Sequence, residues 1–188
     1  MAELASTVRR IIGPTILTAD GTYFDYEAPD PALFTLNAIA TGLANTCRFG
    51  GQCWPFYSVA EHSIMVSRIV SPELALHGLL HDAAEAFIVD MPKPAKEMLP
   101  DYRALEKRIE AVMFPAFGLS VEMPPEIKRA DRIMLATEQR QLMKNRDDWE
   151  WTSGVEPLPL KLRCASPASA RMAFIEEALR LGFPEALR

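Results

Sequence analysis

The clearest pattern along the chain lies at residues 74–89, LALHGLLHDAAEAFIV, an apolar run interrupted only by His77, His81, Asp82 and Glu85. A helix that is apolar nearly all round belongs in a core. A carboxylate buried there costs several kcal/mol unless a partner or a cation compensates it. Around this segment the periodicity predicts further helices. Leu36, Ile39, Ala40 and Leu43 have helical spacing behind Thr35 as N-cap, and this helix fades near Cys47. Ser58 and Glu61 form a capping box that starts a helix with His62 in its first turn and Ile64, Met65, Ile69 and Val70 beyond. Ser71-Pro72 caps the central apolar helix, and Pro92 and Pro94 stop it. Asp101 caps a helix whose apolar face is Tyr102, Leu105, Ile109, Val112 and Met113, before Pro115 interrupts. A long helix is predicted from about Glu126 to Lys144, and Ser166-Pro167 and Gly182 bracket the last.

Three stretches do not read as helix. Residues 16–26 place Asp20-Gly21 between short segments rich in Thr, Tyr, Phe and Ile, which predicts a small β-hairpin. Residues 48–57, RFGGQCWPFY, are an irregular loop, and residues 145–164 are long enough to form an arm or lid. The predicted fold is therefore all-α with a small N-terminal β-hairpin. It forms one domain over 1–188: an extension with the hairpin at 1–35, a helical core at 36–144, and a C-terminal arm and helix at 145–188.

Composition narrows the function. With 188 residues, 49% of them hydrophobic and 24% charged, and a net charge of -5, the chain reads as a soluble globular protein without a polybasic tract for long nucleic acid. Cys47, Cys53 and Cys164 are odd in number and lack metal-type spacing, so a reduced intracellular protein with packing cysteines is expected. No signal pattern and no membrane-spanning apolar stretch is seen, which places the protein in the cytoplasm with no membrane partner.

The three histidines carry the chemistry, because two of them lie within five positions of each other and one abuts an aspartate. His62, His81, Asp82 and Asp131 offer two imidazoles and two carboxylates from separate helices, a mixed nitrogen and oxygen set suited to Mn, Fe, Co, Zn or Mg. Neighbours on a helix point about 100° apart, so His81 and Asp82 share an ion only by converging from its two sides. A histidine hydrogen-bonded to a carbonyl is the structural alternative. Glu85, three positions after Asp82 and four after His81, falls on the same face and within reach of a water at such an ion. Its alternative role is an ion pair with a lysine or arginine.

Taken together, SVAEHS at 58–63, LLHDAAE at 79–85, DMPKPAK at 90–96 and KRAD at 128–131 resemble the HD-domain phosphohydrolases. The likeness points to the branch that holds the bacterial 5'-deoxynucleotidase and the phage-type deoxyadenosine triphosphate triphosphohydrolases. It runs from about Arg48 to Lys144. The resemblance implies an HD-domain helical bundle with one divalent ion held by His62, His81, Asp82 and Asp131. It also implies Glu85 as general acid or base, and Asp90 helping to hold the nucleophilic water. Arg48, Lys96 and Lys128 match positions that contact substrate phosphate, with Lys93 an alternative in the same loop. Phe49 matches an aromatic that packs on the nucleoside. The pattern departs at GGQCWPFY, where Trp54 or Phe56 is a second candidate for stacking or for the core. His77 is read as a core histidine, since no glutamate follows it in the zinc-protease manner; with no further histidine to supply, one metal is favoured over two.

The implied activity is hydrolysis of a deoxynucleoside monophosphate to nucleoside and phosphate, with a small-molecule nucleotide as partner. Release of triphosphate from a deoxynucleoside triphosphate is the alternative, and a non-catalytic nucleotide-binding sensor is the rival of another class. Relatives in this branch self-associate, so a homo-oligomer, dimer or larger, is expected.

Overall fold

Strands β1 (Thr15–Leu17) and β2 (Tyr23–Asp25) pair antiparallel, with Ile16 opposite Phe24. The turn between them uses Gly21 at φ +74°, a conformation that glycine adopts freely. These coordinates are a computed structural model that describes residues 11, 13–145 and 147–188. The remainder of the extension expected over 1–35, and Arg146 of the expected arm, lie outside the described residues.

The ribbon is bound into the core. Asp20 accepts hydrogen bonds from the Thr35 hydroxyl and the Asn37 amide at the start of α1 (Leu36–Asn45). Phe24 is fully buried, and its ring stacks on Phe87 with centroids 4.5 Å apart. Thr35 caps α1 as its position predicts, accepting from the Ala38 N–H at 3.1 Å. Ser58 likewise caps α2 (Val59–Ile69) by accepting from the Glu61 N–H at 3.2 Å. The return half of that capping box is absent. The Glu61 carboxylate instead accepts from the Ala165 N–H at 2.9 Å and so anchors the far end of the C-terminal arm.

The central apolar segment is not one helix. A 3-10 turn over Pro72–Leu74 leads into α3 (Ala75–Leu80), and α4 (Glu85–Ile88) follows only after a tight stretch at 81–84. Ser71 does not cap it, because its N–H and hydroxyl both go to the Glu126 carboxylate. Pro94 does not terminate a helix either. It sits in the first turn of α5 (Lys93–Met98), where a missing N–H leaves nothing unpaired. In α6 (Pro100–Ala116) the first helical residue is Pro100, so Asp101 lies inside the first turn rather than at the cap, and Pro115 is accommodated in the last turn. Helices α7 (Pro125–Leu142) and α8 (Pro167–Arg180) follow the predicted spans closely.

Helix α2 packs on α3, and α1 packs on both α4 and α8. At Gly42 of α1 a Cβ would lie 2.5 Å from the Ala86 carbonyl oxygen, so the two backbones touch and glycine is required. That contact fixes the height of α4 against the bundle. The expected arm is a strap laid along α7, whose side chains replace the missing backbone partners. Thr137 accepts from the Leu158 N–H, Gln141 bonds both Leu160 and Leu162, and Gln139 donates to the Asp147 carbonyl. Among the described residues, no helix is long and apolar enough to cross a membrane.

Candidate metal centre

The 81–84 stretch between α3 and α4 winds more tightly than an α-helix. Ala83 N–H bonds Leu80 O, Glu85 N–H bonds Asp82 O, and Ala86 N–H bonds Ala83 O, all three residues back. Such winding eclipses side chains three apart. Asp82 and Glu85 accordingly line the same cavity, and His81 is turned onto the neighbouring helices.

There it meets the other predicted ligands. His62 Nε2 lies 3.4 Å from His81 Nε2, 3.2 Å from Asp131 Oδ1 and 3.6 Å from Asp82 Oδ2, while His81 Nε2 lies 3.2 Å from the same Asp82 oxygen. Ligand atoms about 2.1 Å from one ion and at right angles to each other are about 3 Å apart. The ligand atoms of His62, His81 and Asp131 all lie within 4.8 Å of one another, a spacing that would suit a single divalent cation, while Asp82, close to both imidazoles, falls outside that group. The distant edges of both imidazoles are held as well. His62 Nδ1 is 2.6 Å from Glu138 Oε1, and His81 Nδ1 is 2.9 Å from the Gly78 carbonyl, so each ring turns Nε2 toward the common point. Burial and Arg48 oppose a proton on His62, but Glu138 and Asp131 outweigh them and push its pKa up to about 9. Positive charge is what this cluster demands.

Glu138 carries that demand and no sequence reading singled it out. It is fully buried and bridges His62 to Arg48, whose Nη2 lies 3.1 Å away. Seven residues separate it from Asp131, two helical turns on one face of α7, which is the signal that would have found it. Arg48 also reaches Asp82 at 3.7 Å and Asp90 at 3.8 Å. Its guanidinium thus stands among three carboxylates at the cavity wall.

The cavity holds about 300 Å³ and is lined by Arg48, Phe49, Asp82, Glu85, Asp90, Lys93, Lys96 and Asp131, among others. Glu85 is 4% exposed, with Oε1 3.4 Å from Lys96 Nζ and Oε2 buried with no hydrogen-bond partner among the described residues. Burial, then the charges of Asp82 and Asp90, push its carboxyl well above the ordinary range; Lys96 and Arg48 act in the opposite direction. Burial raises Asp90 too, against the pull of Arg48. Burial opposes the charge on Lys96, but Glu85 and Glu106 more than restore it, and Glu106 Oε1 sits 2.7 Å from Nζ. Glu106 comes from α6, and no local spacing announces this contact across helices.

Lys128 is the exception among the expected phosphate contacts. It is exposed on α7, one turn before Asp131, and does not line the cavity. Lys93 does, with Nζ 5.4 Å from the Trp151 ring centroid. Phe49 also lines the cavity, with the edge of Trp149 against it at 6.3 Å between centroids. Trp54 is 82% exposed and Phe56 half-buried, and neither reaches the cavity. His77 is buried against Phe114 at 5.1 Å, outside the ligand group, but it is not the satisfied core histidine expected, because its Nε2 has no hydrogen-bond partner among the described residues.

Two residues flanking the cavity have left-handed backbone, Phe49 at φ +59° and Val89 at φ +66°. Strain of this kind costs about 1–3 kcal/mol per residue and gathers at functional sites. Val89 is held in place by its carbonyl, which accepts from the Tyr102 hydroxyl at 2.6 Å, and the Phe87 carbonyl accepts likewise from Tyr26. Asp90 is thereby aimed back at Arg48.

The chain is 42% identical over 144 residues to the Escherichia coli (strain K12) protein named "Uncharacterized protein YfdR", covering 77% of this chain and 80% of that relative. It belongs to the YfdR family. A second similar protein, "Uncharacterized protein RCAP_rcc00048" of Rhodobacter capsulatus, is 36% identical over 120 residues, 58% of this chain and 61% of its own. No protein-family model matches the chain. In this member of the YfdR family, then, the site has to be read from its own atoms.

Proposed function

We propose that this protein is a divalent-metal-dependent phosphohydrolase of the HD-domain type that acts on deoxynucleotides, cleaving 5'-monophosphates to nucleoside and phosphate. One observation carries the reading. A buried carboxyl oxygen, Glu85 Oε2, stands without a partner among the described residues in a cavity wall shared with Asp82 and Asp131, whose carboxylates lie against the buried imidazoles of His62 and His81. An orphaned buried acceptor costs about 1–3 kcal/mol, a cost that a proton donated by water or substrate at Oε2 would remove.

His62, His81 and Asp131, with Asp82 beside them, would hold a divalent ion that would supply Lewis-acid charge and acidify water. Everything else in the reaction falls to the chain. Glu85, whose burial favours the protonated carboxyl, exchanges a proton at Oε2 with the attacking water or the departing 5'-oxygen. Asp90 orients the water, and Arg48 and Lys96 offset the negative charge of the phosphate. Phe49 gives the nucleoside an apolar face at the cavity edge. Monophosphate is ranked above triphosphate because the exposed Lys128 is not in the cavity wall, which leaves the longer phosphate chain with one cation fewer.

The test is to supply the purified protein with Mn or Co and a panel of deoxynucleoside mono- and triphosphates, and to resolve the products. Nucleoside and phosphate from monophosphates are expected; released triphosphate would reverse the ranking. Glu85→Gln is expected to keep its metal and to lose about 10²–10⁴-fold in turnover. An unaffected variant would transfer the proton to another residue, and a parent protein inert toward every nucleotide would point to a sensor.

A further inference from the structure

The cysteines were expected only to pack, yet two of them meet at the edge of the site. Cys47 Sγ and Cys53 Sγ are 3.7 Å apart, and both residues are half-exposed. The five residues between them carry Arg48 and Phe49, two of the side chains that line the cavity. The chain doubles back there through successive left-handed residues, Phe49, Gly50 and Gly51. Each arm of the turn is fastened from outside. The Arg48 N–H bonds the Tyr57 carbonyl at 2.9 Å, and the Trp54 N–H bonds the Leu142 carbonyl at 3.4 Å.

We propose that Cys47 and Cys53 form a redox modification site, a dithiol that exchanges with a low-molecular-weight disulfide of the glutathione class to close an intramolecular bond across the Arg48–Phe49 turn. The sulfurs need to approach from 3.7 Å to about 2.05 Å. In the first step the Cys47 thiolate attacks the small disulfide, forming a mixed disulfide and expelling one small thiolate. In the second, the Cys53 thiolate attacks the Cys47 sulfur, forming the protein disulfide and expelling the other. The protein dithiol loses two electrons, the small disulfide is reduced to two thiols, and the two thiol protons pass to them. Burial and the neighbouring Cys47 push the Cys53 thiol up to about 11, so ring closure quickens as the pH rises. Conversion of Cys47 to the mixed disulfide removes its share of that shift.

Closure reaches the cavity directly. Cys53 Sγ contacts the Arg48 carbonyl at 3.6 Å, and that contact is given up when the sulfur moves. The Arg48 guanidinium bears on Asp82, Asp90 and Glu138, and the Phe49 ring bears on Trp149. The bond itself forms whether or not the protein hydrolyses nucleotides, so its test uses no turnover. Cys164, also half-exposed and packed beside the same apolar cluster as Cys53, is the competing thiol.

The full chain is incubated with oxidised glutathione, its free thiols are alkylated, and the digest is mapped without reduction. A Cys47–Cys53 link lighter by two hydrogens is expected in the parent and in Cys164→Ser, reversed by dithiothreitol. Cys47→Ser and Cys53→Ser, checked for native circular dichroism, are each expected to stop at a glutathione adduct. In a Trp54→Phe, Trp151→Phe background, the emission of Trp149 against Phe49 is expected to shift on closure. Persistent adducts without a link, a link through Cys164, or a link that leaves Trp149 emission unmoved would overturn the proposal.

Discussion

On one face of α4, Glu85 looks into a cavity walled by Arg48, Asp82, Asp90 and Lys96; on the other, Phe87 lies between Phe24 and Phe34, stacked on the first and edge-on to the second. The same four-residue helix therefore joins two regions built on different physics. Apolar packing asks only for filled volume, and each buried ring adds area removed from water. The polar side asks for a partner at every atom. There the partners are carboxylates and cations whose mutual attraction does little more than repay desolvation. The strained Phe49 and Val89 both border the polar side. Stability thus resides in the phenylalanine region, and the buried histidine and carboxylate cluster is the part that consumes it.

That contrast is broken most severely by removing a ligand. His81→Ala is expected to abolish stoichiometric metal content, measured by elemental analysis after gel filtration, while Glu138→Gln, one shell out, weakens metal affinity by about 10–100-fold. His81→Ala is not expected to lower the urea midpoint measured without metal by as much as a core truncation, which would sink the division if it occurred. Phe24→Ala supplies that truncation. It should cost about 3–5 kcal/mol in urea unfolding and leave the metal content of the folded protein intact.

The division also explains what was legible in the sequence. Periodicity sufficed for α7, and caps with periodicity for α1, α2 and α8, because Thr35, Ser58 and Ser166 act on N–H groups three residues away. They failed where the partner is distant. Ser71 resembles a cap by position but is claimed by Glu126, and the Glu61 half of a capping box is claimed by Ala165. The central helix read as continuous because apolar periodicity does not distinguish an α-turn from the tighter winding at 81–84. In the candidate site, the meeting of His62, His81 and Asp131 was visible because histidine is scarce and its neighbours informative. Glu106 was not visible, since its reason for being there is Lys96 on another helix.

A milder perturbation acts on the joint between the two regions. Gly42→Ala drives a methyl into the Ala86 backbone, with the nearest atom at 2.5 Å, and α4 has to yield as a unit. Overpacking of this kind costs about 1–3 kcal/mol. Because Ala86 follows Glu85, the displacement is expected to reach both faces: a lower urea midpoint, and a lower turnover in the metal-loaded protein than its remaining folded fraction accounts for. A fall in midpoint alone would show that the cavity wall does not depend on the α1–α4 contact.

The smallest expected effect tests how far the acidic field of the site extends. Glu110, one turn beyond Glu106 on α6, has a carboxyl pushed up to about 7 by burial, then by the charges of Glu106 and Asp82. Its unfolded value lies near 4.5. Below that pH both states hold the proton. Between about 4.5 and 7 the folded chain keeps a proton that the unfolded chain releases, so stability falls as pH rises, and above that range the deficit is constant. The group is half-buried, and solvent screening reduces the deficit to about 1 kcal/mol. Glu110→Gln is therefore expected to match the parent in urea unfolding near pH 4.5 and to exceed it by about that amount at pH 8. An equal gain at both pH values would assign the effect to packing on α6, and the electrostatic reach of the acidic cluster would end at Glu106.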